Sequence, residues 1–163
     1  MKTSAYHLRP ATPADLAFQR QLYATTREEE MDAAQFTAEM REAFIAMQFT
    51  AQTTHYTKTH PRAEWSIIEC HGARAGRLIL DRTAEHLNIM DIALLPAVRG
   101  RGIGTALLKE IFTEATAKQL PVRLFAYTRE RAIQLYHRLG FVDVHDDGVY
   151  TELVWRPDRV ANA

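Results

Sequence analysis

Three glycines, Gly100, Gly102 and Gly104, alternate with other residues between a predicted strand and a predicted helix. The apolar run 92–95 predicts the strand, and the Ala and Leu residues at 106–108 predict the helix. A glycine-rich turn leaves backbone N–H groups accessible, and the first N–H groups of a helix have no partner within it. Because these groups lie at the positive end of the helix dipole, they favour phosphate oxygens. The segment therefore predicts a site for a phosphate-bearing ligand.

The spacing of these glycines differs from two common phosphate-binding loops. The Walker pattern requires Lys and then Ser or Thr after its last glycine, whereas Thr105 follows Gly104 directly. The dinucleotide fingerprint places its third glycine three positions after the second, and needs an acidic residue where this chain has Ala126 and Tyr127. We therefore expect neither a nucleoside triphosphate loop nor a dinucleotide fold.

The composition favours a small molecule or a local protein segment as the partner. The chain has 163 residues, 47% of them hydrophobic, and its 20 basic residues balance its 20 acidic ones. This length and apolar content predict one domain over 1–163 with a well-buried core. The charge balance argues against nucleic acid and against an anionic membrane as the main partner.

Targeting and cysteine patterns predict a cytoplasmic protein. Residues 1–7 lack the apolar centre of a signal peptide, and no apolar run reaches about 18 residues, the length that a membrane span needs. Cys70 is the single cysteine, which excludes an internal disulfide, and its apolar surroundings predict a buried small residue rather than a nucleophile. The seven histidines show no metal-ligand spacing, so we expect no metal site.

The first 60 residues predict a strand over 6–9 and two helices. Thr12 and Pro13 are typical of the start of a helix, which we expect over 13–25 with Leu16, the stem of Gln19 or Arg20, and Tyr23 buried. The charged segment 26–32 predicts a loop or a frayed helix end.

A second helix is predicted over 33–54, followed by a polar connection over 55–61. Its apolar residues follow a helical spacing, and they are Phe36, Met40, Phe44, Met47 and Ala51. Phe49 lies off this stripe, which leaves two interpretations open, a core contact and a ligand pocket.

The rest of the chain predicts a mixed sheet. Three antiparallel strands are expected over 65–70, 73–81 and 86–95, and the third leads through the glycine turn into a helix over 102–118. A strand over 122–126 follows this helical crossover, so it is expected to run parallel to the strand that ends at Leu95.

A helix over 129–139, capped by Thr128, and a hairpin over 141–155 complete the predicted elements. Together they predict an α/β (α+β) fold, with a mixed, mostly antiparallel sheet of about six to seven strands flanked by about four helices.

The glycine turn resembles a signature of the Gcn5-related N-acetyltransferase (GNAT) family, which reads Arg or Gln, two residues, Gly, one residue, then Gly or Ala. Arg99, Gly102 and Gly104 occupy its fixed positions. Residues 132–141, with Tyr136 ahead of Leu-Gly-Phe, are similar to the second signature of the family. The resemblance covers residues 64–156, whereas the first 60 residues are similar only in layout.

This resemblance implies acetyl-CoA as co-substrate. Its pyrophosphate is expected over the N–H groups of residues 101–105, and its pantetheine arm between the strand ending near Leu95 and the strand starting at Val122. The N–H of Leu94 is expected to bond the thioester carbonyl. Arg129 stands where the family often has an Asn that bonds the pantetheine. Whether this chain makes a pantetheine contact here is therefore open, and a contact of Arg129 with a phosphate is the alternative. The implied coenzyme-binding residues are Ile92, Leu94, Arg99, Gly100, Arg101, Gly102, Ile103, Gly104, Thr105, Arg129 and Tyr136.

The family's reaction is direct attack of an amine on the thioester, without an acyl-enzyme. A lysine-like amine has a pKa of about 10.4, so freeing its lone pair at pH 7 costs about 4 to 5 kcal/mol. Asp91, Glu85 and His86 are the candidate proton acceptors, with Asp91 preferred for its position next to the segment beside the thioester. A purely structural carboxylate is the alternative for Asp91. Tyr136 is the candidate acid for the leaving thiolate, with a core tyrosine as the alternative.

The residues that would bind the acceptor amine are the part of the site that the sequence defines least. By layout the resemblance nominates residues 27–31, Phe49, Tyr56 and Tyr150, with Arg27 and Glu28 at the start of the first range. The acidic residues 28–30 suit a cationic amine, and a solvated helix end explains them equally.

The predicted activity is therefore acetyl transfer from acetyl-CoA to a primary amine of a small molecule or a protein. The alternative is a non-catalytic acyl-CoA-binding module. The sequence leaves the acceptor, the length of the acyl group and the oligomeric state open, a homodimer included.

Overall fold

Seven β-strands form one sheet in the computed structural model, which describes residues 5–160. The strand order is β1-β2-β3-β4-β5-β7-β6. β4 and β5 are parallel, whereas the pairs β1–β2, β5–β7 and β6–β7 are antiparallel. The predicted mixed sheet is confirmed. The strands are β1 (Tyr6–Pro10), β2 (Glu64–Cys70), β3 (Ala73–Arg82), β4 (Leu87–Leu94), β5 (Val122–Tyr127), β6 (Val142–Asp146) and β7 (Tyr150–Trp155).

Helices precede β2 and follow β4, β5 and β7. They are α1 (Leu16–Thr26), α2 (Glu28–Ala33), α3 (Ala38–Thr59), α4 (Ile103–Lys118), α5 (Ala132–Arg138) and α6 (Pro157–Val160). Pro13–Asp15 and Pro96–Val98 form single 3₁₀ turns. Over residues 5–160, none of the helices combines the length and the apolar character that a bilayer crossing requires.

The chain divides into two compact units. The first comprises the chain up to Ile79 together with Asp91–Ile103, and the second comprises Leu80–Met90 and the chain from Gly104 onward. The single domain over 1–163 stays a prediction, and its ends, residues 1–4 and 161–163, lie outside the described residues.

In the first unit, Asp15 fixes the start of α1. This carboxylate is fully buried and accepts hydrogen bonds from Arg9, Arg74 and the Thr12 N–H, each at 2.8 Å. The hydrogen bonds from Arg9 and then from the Thr12 N–H hold the pKa of Asp15 well below its usual range. Thr12 precedes a 3₁₀ turn over Pro13–Asp15, and α1 itself begins at Leu16, three residues after the predicted start.

The buried face of α1 differs from the prediction. Leu16 is 57% exposed, whereas Phe18 and Leu22 pack against Ile67 of β2. Tyr23 and Gln19 are buried as predicted. The segment that was expected to be a loop or a frayed end forms α2, because Met31 supplies an apolar anchor for it.

The predicted apolar stripe of the second helix was right only in part, since Phe36 and Phe44 pack against the core but the methionines do not. Met40 and Met47 are 54% and 61% exposed, whereas Ile45 and Phe49 are each 5% exposed. The helix begins at Ala38, after the Thr37 side chain caps it, and it continues to Thr59 through the predicted connection. Residues 45 and 49, four apart on one helix face, pack with Tyr23 and Met31 of the neighbouring helices, so tertiary packing decided which face is buried.

In the second unit, the apolar face of α4 packs into the core. Leu107, Leu108, Ile111 and Ala115 are buried, and the ring of Phe112 stacks on Trp155 with centroids 4.2 Å apart. The β4–β5 register runs from Leu87↔Val122 to Ile89↔Leu124.

The start of α5 also differs from the prediction, since it begins at Ala132. Thr128, the predicted cap, instead serves the β6–β7 hairpin. Its N–H donates to the Val149 carbonyl at 2.9 Å, and its hydroxyl lies 3.1 Å from both Asp146 Oδ1 and Thr151 Oγ1. A hydroxyl engaged in this way is not available for helix capping.

Candidate active site

The end of β4 is held by contacts within the first unit. The Leu95 N–H donates to the Ala75 carbonyl of β3 at 2.8 Å. The Arg99 Nε reaches back and donates to the Leu94 carbonyl at 2.9 Å. The first residue of the glycine signature therefore fixes the peptide group at the end of the strand.

The glycine turn combines left-handed backbone with the start of α4. Gly100 and Gly102 have φ values of +73° and +81°, which side chains with a Cβ rarely adopt. A Cβ at Gly100 would meet no atom within 4 Å, so the turn is open on that side. Arg99 and Arg101 are exposed and add positive charge. The N–H groups of the first helical turn have no partner within the helix, so this geometry suits an anion.

Gly76 of β3 allows the end of β4 to approach closely. A Cβ at this position would lie 2.3 Å from the Ala93 carbonyl oxygen and 2.8 Å from Leu94 Cδ2. Both distances are shorter than side-chain contacts in folded proteins, and the nearer atom belongs to the backbone. A glycine inside a predicted strand is a signal of such a close approach, and sequence reasoning missed it at Gly76.

We expect Gly76→Ala to lower the free energy of unfolding by about 1 to 3 kcal/mol, since overpacking forces the β4 backbone to shift. Urea unfolding measures this loss. Hydrogen exchange of the Leu95 N–H, which bonds to Ala75, is expected to accelerate with it. Gly72→Ala is the matched control, because its Cβ would meet nothing within 4 Å and only its positive φ opposes the change. Equal exchange at Leu95 in both variants would contradict the close-approach argument.

Asp91, the preferred proton acceptor, is paired with a buried arginine. Arg77 of β3 is 2% exposed and donates to Asp91 Oδ2 from Nη2 at 2.6 Å and from Nε at 2.8 Å. The other candidates, Glu85 and His86, lie in the turn before β4, where the N–H groups of both donate to the Thr83 hydroxyl.

The guanidinium of Arg77 makes three further contacts. It donates to the side-chain oxygens of Gln19 and Gln52, each at 3.2 Å, and lies 5.5 Å from the ring centroid of Trp65. Sequence reasoning missed this cluster. The available signal was a charged residue directly before the apolar run 78–80, in the strand that forms a hairpin with the strand carrying Asp91.

The sequence-predicted site residues divide between the two units. The second unit contains Gly104, Thr105, Arg129, Tyr136 and Tyr150. The others fall in the first unit, and they are Arg27, Glu28, Phe49, Tyr56, Asp91, Ile92, Leu94, Arg99, Gly100, Arg101, Gly102 and Ile103.

Tyr136 and Arg129 differ in exposure. Tyr136 of α5 is 8% exposed, and its ring packs edge-on against Phe141 with centroids 5.6 Å apart. Arg129 is exposed in the turn between β5 and α5. Tyr150, at the start of β7, is 43% exposed, and its ring stacks on Tyr127.

The candidate residues for binding the acceptor amine in the first unit mostly form contacts within the protein. Arg27 forms an ion pair with Glu30 at 2.6 Å and donates to the Tyr23 hydroxyl at 3.2 Å, while Glu28 is exposed. Phe49 belongs to the core and also lines a cavity. Tyr56 packs against Trp65, whose ring also borders that cavity.

Comparison with known proteins assigns the family. Residues 61–143 match the family model described as "Acetyltransferase (GNAT) domain", which is 83 of the 163 residues. The chain belongs to the GNAT acetyltransferase family. This confirms the predicted family and the N-acetyltransferase class, and with them acetyl-CoA as the co-substrate of that class. No curated protein sequence matches the chain.

Solved structures share the fold at low sequence identity. A PaiA N-acetyltransferase from Thermoplasma acidophilum in complex with coenzyme A has a TM-score of 0.71 and 16% identity, over 93% of this chain and 99% of that one. A GCN5-related N-acetyltransferase from Rhodopseudomonas palustris has a TM-score of 0.67 and 20% identity, over 96% and 98%. A GNAT family acetyltransferase from Elizabethkingia anophelis with acetyl-CoA bound has a TM-score of 0.56 and 15% identity, over 93% and 97%. At these identities the likeness shows the fold.

Proposed function

We propose that this protein transfers an acetyl group from acetyl-CoA directly to a primary amine of a small molecule or a protein. The observation that carries the proposal is the glycine turn. Its two left-handed glycines and the start of α4 present backbone N–H groups directly after a strand end that Arg99 holds in place. The family supplies the acetyl donor, and this turn is suited to bind the donor's pyrophosphate.

Each part of the proposed coenzyme site has a physical role. The N–H groups of residues 101–105 bind the pyrophosphate, with Arg99 and Arg101 adding positive charge. The Leu94 N–H donates to the thioester carbonyl, where one preorganised donor contributes about 3 kcal/mol as charge develops on the oxygen. The contacts of Leu94 with Arg99 and with a Cβ-free Gly76 keep that donor in place.

The proposed reaction needs two proton transfers. Acetyl-CoA supplies the acetyl group, and the amine nitrogen forms the amide bond as the C–S bond breaks. Asp91 takes the amine proton directly or through water, although its bonds to Arg77 occupy Oδ2 and leave Oδ1 for this role. Tyr136 gives a proton to the leaving thiolate, whose basicity is close to that of a phenol.

The proposal is tested by measuring thiol release from acetyl-CoA with a broad panel of primary amines. We expect release above the uncatalysed rate with at least one amine, accompanied by the N-acetylated product. Release at the uncatalysed rate throughout, with retained coenzyme binding, would contradict the proposal and favour a non-catalytic acyl-CoA-binding module.

Tyr136→Phe is expected to lower kcat by about 100-fold, since general acid catalysis contributes about 10² to 10⁴. Coenzyme affinity is expected to change much less, because the phenyl ring keeps its contact with Phe141. Turnover and calorimetry measure the two effects. His137→Phe, at an adjacent exposed position on α5, is the control. Unchanged turnover in Tyr136→Phe would remove the acid role.

A further inference from the structure

The buried guanidinium of Arg77 is anchored by several elements of the first unit. From β3 it donates to Asp91 of β4, to Gln19 of α1 and to Gln52 of α3. Nε and Nη1 each have one acceptor, and Nη2 has two. The Trp65 ring of β2, with its centroid 5.5 Å from Cζ, packs over it. A planar group held in this way cannot turn without breaking at least one of its hydrogen bonds.

Both bonds from Arg77 to Asp91 end on the same carboxylate oxygen. Nε and Nη2 donate to Oδ2 at 2.8 and 2.6 Å. An arginine and a carboxylate frequently form two parallel hydrogen bonds that use both carboxylate oxygens. The pairing in this protein therefore leaves Oδ1 outside the ion pair.

Oδ1 of Asp91 is open to solvent. It accepts no hydrogen bond from residues 5–160, and it is not one of the buried side-chain atoms that lack a partner. The Asp91 side chain is 23% exposed, whereas that of Arg77 is 2% exposed. A carboxylate oxygen that reaches solvent can take a proton from an amine, either directly or through one water.

The two glutamines bind the guanidinium from two different helices. Arginine has only donors, so the side-chain oxygens of Gln19 and Gln52 must face it, and each lies 3.2 Å from its nitrogen. Without one of these oxygens, the buried guanidinium would carry an N–H that has no acceptor, which destabilises the folded protein. Oδ1 of Asp91 could accept this N–H, because it belongs to a carboxylate that Arg77 already binds.

We propose that Gln52 and Gln19 are positioning residues for the acetyl transfer, since through Arg77 they keep Oδ1 of Asp91 free to take the amine proton. The inference rests on the proposed function. The glutamines themselves take no part in bond formation. The amine nitrogen bonds the acetyl carbon, its proton passes to Oδ1, and Oδ2 stays in the ion pair with Arg77.

Gln52→Met is expected to lower kcat/KM at least about tenfold, measured with the panel amine that the wild-type protein acetylates fastest. Met has about the length of Gln but no side-chain oxygen, so Nη2 of Arg77 loses one of its two acceptors and turns to Oδ1. A general base contributes about 10²- to 10⁴-fold, and partial occupation of Oδ1 removes part of this. Thermal unfolding shows that the variant is folded at the assay temperature.

Gln48→Met is the matched control. Gln48 lies one turn before Gln52 on α3, is also half-buried, and makes no hydrogen bond to Arg77. Its substitution should leave kcat/KM within about twofold of the wild-type value. Equal kcat/KM values in Gln52→Met and Gln48→Met would overturn the inference.

Gln52→Glu supplies the conservative rescue. Its carboxylate can still accept from Nη2 of Arg77, so this variant should retain most of the activity. A loss in Gln52→Glu as large as that in Gln52→Met would show that the acceptor for Arg77 does not matter, and would overturn the inference.

A double variant tests whether Gln52 acts through Asp91. In Asp91→Asn the side chain no longer takes a proton, so Gln52→Met should lower kcat/KM by no more than about a further twofold. A merely structural role of Gln52 predicts that the two losses multiply. That result would also overturn the inference.

Crystal structures separate failure of this inference from failure of the proposed function. We expect Oδ1 of Asp91 to be unbonded to Arg77 in the wild type and to lie within about 3.2 Å of an Arg77 nitrogen in Gln52→Met. If Oδ1 stays unbonded in the variant, the inference is wrong whether or not thiol is released. If no amine releases thiol but Oδ1 becomes bonded, the proposed function fails, and Gln52 still determines the geometry of the ion pair.

Discussion

Asp91→Ala is expected to lower the free energy of unfolding by about 3 to 5 kcal/mol, since it leaves a buried guanidinium without its carboxylate. Arg77 is 2% exposed, and only the neutral oxygens of Gln19 and Gln52 would remain as hydrogen-bond acceptors. Burial of the Arg77 guanidinium removes its hydration, and the Asp91 carboxylate offsets the resulting desolvation cost. Removal of this carboxylate therefore leaves that cost uncompensated. Urea unfolding measures the change.

Asp32→Ala is the matched control. Asp32 pairs with Arg41 at the same distance of 2.6 Å, but its side chain is 68% exposed, so its loss is expected to cost at most about 1 kcal/mol. The double variant Arg77→Leu/Asp91→Ala should recover part of the stability, because no unpaired charge remains. A loss in Asp91→Ala as small as that in Asp32→Ala would contradict the structural role of the buried pair.

Asp91→Asn separates this structural role from the predicted role as proton acceptor. The amide oxygen can still accept from Arg77, but the side chain can no longer take a proton. A base role predicts that the loss of kcat/KM shrinks as the pH approaches the pKa of the amine, about 10.4 for a lysine-like group. A purely structural role predicts the same loss at every pH.

Gly104→Glu is expected to weaken coenzyme binding by at least about 100-fold while the fold is retained. Gly104 lies in the first turn of α4, and its φ is not among the positive values, so a side chain adds no left-handed strain there. A carboxylate about 4 Å from a pyrophosphate charge is repelled by about 4 kcal/mol at an effective dielectric constant of about 20. Calorimetry with coenzyme A measures the loss of affinity.

The folded state should tolerate this change for two reasons. Glycine is about 1 kcal/mol less favourable than alanine inside a helix, and a carboxylate in the first turn interacts favourably with the helix dipole. Gly104→Gln adds the same bulk without the charge, so it shows how much of the effect is electrostatic. Unchanged coenzyme affinity in Gly104→Glu would mean that the pyrophosphate binds elsewhere, and the proposed coenzyme site would be wrong.

The glycine turn and the helix that follows it were predictable from sequence because their features are local. Left-handed backbone at Gly100 and Gly102 and a helix starting at Ile103 follow from residue types within one short segment. The mixed sheet was predictable for a similar reason, since hairpins and a helical crossover fix the directions of neighbouring strands.

Contacts between residues far apart in the chain were not predictable in the same way. The buried face of α3 was assigned correctly only in part, since its apolar residues alone allow more than one face. Contacts with Tyr23 and Met31 select Ile45 and Phe49 as its buried residues. Thr128 was assigned to a helix cap, whereas its partners come from β6, the β6–β7 turn and β7.

The sequence by itself determined the family, the strand-turn-helix that suits a phosphate, and the strand directions, since each depends on patterns within a few consecutive residues. Only the tertiary structure decided that Arg77 is buried against Asp91 and that Gly76 must lack a Cβ beside Leu94. Burial and hydrogen-bond pairing depend on which distant segments meet, and this information is absent from local residue spacing.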